Sequence, residues 1–111
     1  MKKIDNFLII EKNGDIYTIY PSAELQDDIG TTGFLQYQKD KKHLKKGDLV
    51  LTIEASKAVL YVRTPISGTI IEINENAIKK PDLINSHLDN ENWIVKLKDV
   101  NFEEFDILED Y

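Results

Sequence analysis

The chain has 111 residues, 41% of them hydrophobic, with four Phe, five Tyr and one Trp; that is enough for one domain with its own core and too little for two. Fourteen Lys and Arg against 20 Asp and Glu give a net charge of −6, so the mean field repels nucleic-acid backbones and acidic membranes, and neither is expected as a partner. No cysteine is present, which excludes disulfides, Cys-ligated zinc and Cys nucleophiles, and means that any redox chemistry is imported.

Met1-Lys2-Lys3 is basic, but the apolar stretch Phe7-Leu8-Ile9-Ile10 is too short for a signal sequence and no small-residue cleavage site follows it. No run reaches membrane-spanning length, so a cytoplasmic location is expected. Residues 7–10 and 15–20 are rich in β-branched and aromatic side chains and read as a hairpin turning at Asn13-Gly14. Pro21 removes a ladder donor, and Ser22 is placed to cap a short helix over residues 23–28. Residues 33–38 read as the next strand. The run from Lys39 to Lys46, with five lysines and His43, is too charged for a core element and reads as a solvated connection.

Leu49 to Glu54 and Val59 to Thr64 are strand-like and separated only by Ala55-Ser56-Lys57-Ala58. This predicts a hairpin with Lys57 at its tip. Pro65-Ile66-Ser67-Gly68 has turn chemistry and leads into a strand over residues 69–73. A helical turn over residues 77–80 is expected to stop at Pro81. Residues 92–97 alternate as a strand, with Trp93, Val95 and Leu97 on one side and Ile94 on the other. At the end, Asn101 and Glu104 have capping-box spacing, and Phe102, Phe105 and Leu108 fall at helical intervals. Many short strands with closely spaced turns favour a small sandwich or barrel.

Lys57 carries the functional argument. Small neighbours, Ala55, Ser56 and Ala58, leave its amine open, and a long flexible side chain on a rigid hairpin is suited to covalent modification by another enzyme. Taken alone, an exposed hairpin lysine is an ordinary solubilising residue. Its context points further. Glu54-Ala55-Ser56-Lys57-Ala58, Pro65-Ile66-Ser67-Gly68, Ile71-Glu72-Ile73-Asn74-Glu75, Pro81-Asp82-Leu83-Ile84-Asn85 and Asn92-Trp93-Ile94-Val95-Lys96 occur in the order and approximate spacing of the attachment region of the glycine cleavage system H-protein family. The resemblance is good from about Lys46 to Lys98 and looser before it.

That resemblance implies a mainly β barrel-sandwich hybrid with short helices, one near the C-terminus, and a single lipoyl-carrier domain over residues 1–111. It implies lipoate amide-linked to Lys57, with Glu54 as a recognition residue for the attaching enzyme. The chain is then a non-catalytic carrier, a substrate of a lipoate ligase or lipoyl transferase and of partners that include a dihydrolipoyl dehydrogenase. Biotinyl domains share the architecture, but they place Met on both sides of the lysine, where Ser56 and Ala58 stand here. Ser56 replaces the family's usual Val, Leu35-Gln36-Tyr37-Gln38-Lys39 replaces its acidic Glu-Leu-Pro, and the C-terminal region is short. These departures resemble a compact H-like branch tied to lipoate-dependent redox and ADP-ribosylation, with a sirtuin-type ADP-ribosyltransferase and a macrodomain protein as partners. The alternatives are a genuine aminomethyl carrier working with the glycine cleavage enzymes, and an unmodified β-rich interaction module.

The other features are blander. His87 lies near Asp89 and Glu91, but a loop without a second histidine has little specificity for a metal. The lysine run lacks interleaved aromatics. Trp93 reads as core. The five glycines are scattered at turns, and no phosphate loop or Ser-His-Asp arrangement is visible.

Overall fold

The computed structural model describes Met1–Tyr111. In chain order the elements are β1 (Lys2–Asp5), β2 (Leu8–Asn13), β3 (Ile16–Pro21), α1 (Ala23–Ile29), β4 (Thr32–Tyr37), β5 (His43–Leu44), β6 (Leu49–Ala55), β7 (Val59–Arg63) and β8 (Gly68–Ile73), then α2 (Glu75–Lys79), a 3-10 turn (Pro81–Asn85), α3 (Asp89–Asn92), β9 (Val95–Lys98), α4 (Phe102–Asp106) and β10 (Glu109–Asp110). A seven-stranded sheet runs β10-β1-β2-β3-β9-β8-β5 and a three-stranded sheet runs β4-β6-β7, with every pair antiparallel. The mainly β sandwich with short helices is the expected class.

Period-two alternation explains how the sheets close. Ile10, Ile19 and Val95 stand in one cross-strand row, and Tyr17 pairs with Leu97 in the next; all join one apolar cluster with Leu35, Leu51, Ile53 and Val62 of the smaller sheet. Tyr37 ties the two sheets together. Its hydroxyl donates to Ile94 O at 2.6 Å and accepts from Asn74 N at 3.4 Å, and burial pushes its phenol pKa up.

Several elements differ from the sequence reading for identifiable reasons. Phe7, expected inside a strand, is a turn residue. Asn6 (φ 48°) and Phe7 (φ 65°) are both left-handed, the sign pattern of a type I′ hairpin, so that Lys2–Asp5 becomes a strand ahead of it. The next turn is centred on Gly14-Asp15 rather than Asn13-Gly14, because Asn13 still pairs with Ile16; only Gly14 (φ 58°) is left-handed, as in a type II′ turn. Lys3, part of the basic N-terminus, is buried. Its Nζ donates to Asp106 O (3.1 Å) and Asp110 Oδ1 (2.6 Å), fastening the tail to β1.

The lysine run is not wholly solvated. Leu44 is 4% exposed and pairs with Gly68 in β5, anchoring an otherwise polar connection by one residue, too few to show periodicity. α2 begins at Glu75 and stops before Pro81 as expected, with Lys80 (φ −135°, ψ 81°) out of the helical region, and Pro81 itself opens the 3-10 turn, since a proline at the first helical position gives up no intrahelical donor. The last inner strand begins at Val95, not Asn92. Asn74 Nδ2 donates to Glu91 O (3.0 Å) and Trp93 O (2.7 Å) and diverts that segment from the ladder. Trp93 consequently packs with Ile9 and Tyr20 in a small outer cluster, while Ile94 enters the main core. Asn101 caps α4 through Glu103 N (3.1 Å), but Glu104 does not reach back to it; its Oε1 accepts from Ser67 N at 2.7 Å and ties α4 to the turn before β8.

Candidate functional site

Ala55 ends β6 and Val59 begins β7, so the tip is three residues, Ser56-Lys57-Ala58, closed by Ala55 N–H donating to Ala58 O at 2.9 Å. β6 is the central strand of the smaller sheet, with β4 on one side and β7 on the other. The tip therefore stands on a strand paired along both edges.

Lys57 is exposed and its amine forms no ion pair. It is not, however, a free turn residue. The Lys57 backbone N–H donates to Ile29 O at 2.9 Å, and its Nζ reaches Asp27 O at 3.3 Å, so backbone and side chain both lie against the carbonyl end of α1. That helix forms where expected: Ser22 Oγ accepts from Leu25 N at 3.2 Å, and Leu25 and Ile29 point into the core.

The link after α1 supplies the seat. Gly30 has φ 75° and ψ −157°, and a Cβ there would lie 2.4 Å from Ser56 Oγ and 3.0 Å from Lys57 Cγ. The stem of Lys57 thus crosses a residue without a side chain. Ser56 N donates to Thr31 O at 2.8 Å, and Thr31 N donates back to Ser56 Oγ at 2.9 Å. On the other side of the link, Asn85 Nδ2 donates to Gly30 O (2.6 Å), and Thr32 N donates to Asn85 Oδ1 (2.8 Å). The 3-10 turn, the link and the hairpin tip form one hydrogen-bonded stack.

Glu54, the other residue singled out from the sequence, is exposed on the outer face of the small sheet, opposite Phe34 and Val59. No hydrogen bond or ion pair joins its side chain to Lys57 or to any other residue. Phe34, Val59 and Tyr61 on this face are about half exposed (49%, 52% and 61%). Sequence reasoning missed Gly30, Thr31 and Asn85 as parts of the site. Asn85 lies in one of the resembling blocks, but nothing local shows that it reaches the link, and in the sequence Gly30 is one of five glycines scattered at turns.

His87 and Asp89 line a cavity of about 180 Å³ with Lys2, Tyr20 and Asn92 among others. No group of three or more His, Asp or Glu side chains is placed to hold a metal ion. No helix is long and apolar enough to cross a membrane.

A seven-stranded and a three-stranded sheet packed around one apolar core, with a hairpin displayed from the smaller, define a barrel-sandwich hybrid. Residues 2–110 match the family model described as glycine cleavage H-protein. The chain is 48% identical over 105 residues to a glycine cleavage system H-like protein of Staphylococcus aureus, covering 95% of this chain and 94% of that one. It is 40% identical over 79 residues to a probable glycine cleavage system H protein of Thermococcus kodakarensis, covering 71% and 58% of the two chains. The crystal structure of a glycine cleavage system H protein from Mycobacterium marinum superposes with a TM-score of 0.76 at 17% identity, over 93% of this chain and 91% of that one. The chain belongs to the glycine cleavage H-protein family. Members of this family are non-catalytic carriers of a covalently attached lipoate, and the family implies lipoyl ligases and glycine cleavage enzymes as partners.

Proposed function

We propose that this chain, as one unit over residues 1–111, carries lipoate as an amide on Lys57 Nζ. The observation that carries the reading is an exposed, ion-pair-free amine on a three-residue tip whose backbone is hydrogen-bonded to two neighbouring segments. Such a tip fits the group: the amine is open to an attaching enzyme, and no acid has to be displaced before acylation. The bound lipoyl group would supply a strained cyclic disulfide able to accept electrons and a carbon fragment, chemistry that a chain without cysteine cannot provide. The chain's own contribution is to hold the attachment point still and to present a recognisable surface, including Glu54, to ligase and partner enzymes. Intact-mass measurement of protein from lipoate-supplied cells is expected to show one lipoyl increment that is absent in Lys57→Ala. An unmodified wild-type chain in cells with an active ligase would refute the assignment, and capture on streptavidin would indicate biotin instead.

Within the family we favour an H-like carrier linked to redox state and ADP-ribosylation, with a sirtuin-type transferase, a macrodomain protein and a dihydrolipoyl dehydrogenase as partners in the cytoplasm. The H-like part of the reading is supported by 48% identity over nearly the whole length of a protein named H-like, against 40% over 58% of one named a probable H protein; the link to ADP-ribosylation is the proposal's own. The competing role is aminomethyl carriage in glycine cleavage. Lipoylated protein given to a glycine decarboxylase with glycine and labelled bicarbonate is expected to support little exchange; exchange at the rate of a glycine cleavage H protein would reverse the preference.

A further inference from the structure

We propose that Ser56 is a positioning residue for acylation of Lys57, its hydroxyl latching the hairpin tip to the link after α1. The inference rests on the assignment of Lys57 as the attachment site. In that reaction the neutral amine attacks the carbonyl carbon of a lipoyl adenylate supplied by the ligase. A C–N bond forms, the acyl C–O bond breaks, AMP leaves with the electron pair, and the nitrogen loses a proton. The rate depends on where the amine stands relative to that carbon, because placement within a fraction of an ångström separates reactive from unreactive encounters.

Four contacts fix the tip to its seat, and Ser56 makes two of them. Its N–H donates to Thr31 O (2.8 Å) and its Oγ accepts from Thr31 N (2.9 Å), while Lys57 N donates to Ile29 O (2.9 Å) and Lys57 Nζ to Asp27 O (3.3 Å). The reciprocal Ser56–Thr31 pair prevents the tip from sliding along the link. The link itself cannot follow the tip, since Asn85 holds Gly30 O and Thr32 N from the opposite side (2.6 and 2.8 Å). Ser56 is exposed, so its hydroxyl is not there to fill a core. In this chain a hydrocarbon side chain at position 56, the family's usual Val included, leaves Thr31 N–H to water and removes one of the four restraints, so the latch is a feature of this chain rather than of the family.

The test compares wild type, Ser56→Val and Ser56→Thr as substrates of a lipoate ligase, together with amide-proton exchange at Thr31. Ser56→Val, which keeps bulk but cannot accept a hydrogen bond, is expected to lower kcat/KM for attachment about fivefold to tenfold, the scale of one hydrogen bond. The loss should appear in kcat, with KM nearly unchanged and any loss of thermal stability no larger than that of one exposed hydrogen bond, because the bond orders the amine rather than the docking surface. Thr31 exchange should accelerate by a similar factor. Ser56→Thr keeps the acceptor and is expected to restore both readouts. Wild-type kinetics in Ser56→Val, a loss confined to KM, unchanged exchange at Thr31, or a Thr variant as slow as Val would each overturn the latch. If wild type itself takes no lipoate, the Lys57 assignment fails; if wild type and Ser56→Val are lipoylated equally well, only the latch does.

Discussion

Phe105→Ala is expected to destabilise the protein by about 3–5 kcal/mol, the cost of removing a large aromatic from a closed core. Phe105 is 0% exposed and meets Tyr17 edge-to-face with ring centroids 5.1 Å apart. The residue does more than fill space. It seats α4, and α4 carries two long-range ties: Glu104 Oε1 to Ser67 N, and Asp106 O to the buried Lys3 Nζ. Truncation leaves a cavity beneath a five-residue helix that has little stability of its own, so the β10–β1 pairing beyond it loosens as well. Phe102, on the same helix but 45% exposed, is the internal control, and its replacement by Ala should cost far less. Urea unfolding of the two variants checks this: similar losses would show that the rank of burial does not govern this end of the fold, and a loss below about 1 kcal/mol for Phe105→Ala would contradict the packing argument.

The placement of Phe105 could be read from the chain, because Asn101 with Phe102 and Phe105 is a local pattern with local causes. The same holds for the hairpin bearing Lys57, where two apolar strands flank a short small-residue tip, and for Ser22 as the cap of α1. What could not be read are contacts whose partners are far apart in sequence. Glu104 has capping-box spacing from Asn101, yet it bonds Ser67, 37 positions away. Lys3 looks like a solubilising terminus until Asp106 and Asp110 close over it. Trp93 sits in an alternating stretch, but Asn74 pulls its carbonyl out of the ladder and places the ring on the other face. The candidate site divides in the same way. Lys57 and Glu54 are named by their neighbours in the chain, whereas the seat under the lysine is assembled from Gly30, Thr31, Ser56 and Asn85, brought together across 55 positions. A sequence reading finds the lysine as an exposed side chain on a turn; the fold lays that side chain along the end of a helix.

Gly30→Ala tests that seat most severely. At φ 75° and ψ −157° Gly30 occupies a region essentially reserved for glycine, and forcing a side chain there costs about 1–3 kcal/mol in backbone strain alone. The new Cβ would also fall 2.4 Å from Ser56 Oγ and 3.0 Å from Lys57 Cγ, so the tip must lift or the link must drop. The link is held by Asn85, which leaves the tip as the part that moves. Gly30→Ala is therefore expected to lose stability, release the Thr31–Ser56 pair and slow lipoyl attachment more than Ser56→Val does. Gly14→Ala separates strain from collision: Gly14 is also left-handed, at φ 58°, but a Cβ there meets nothing within 4 Å. It should lose stability without touching the attachment rate. The comparison requires unfolding curves and ligase kinetics on both variants, with backbone chemical shifts to locate the disturbance. Shift changes confined to the residues beside Gly30, with Ser56 and Lys57 undisturbed and attachment at the wild-type rate, would mean that the lysine stem does not depend on the bare backbone beneath it.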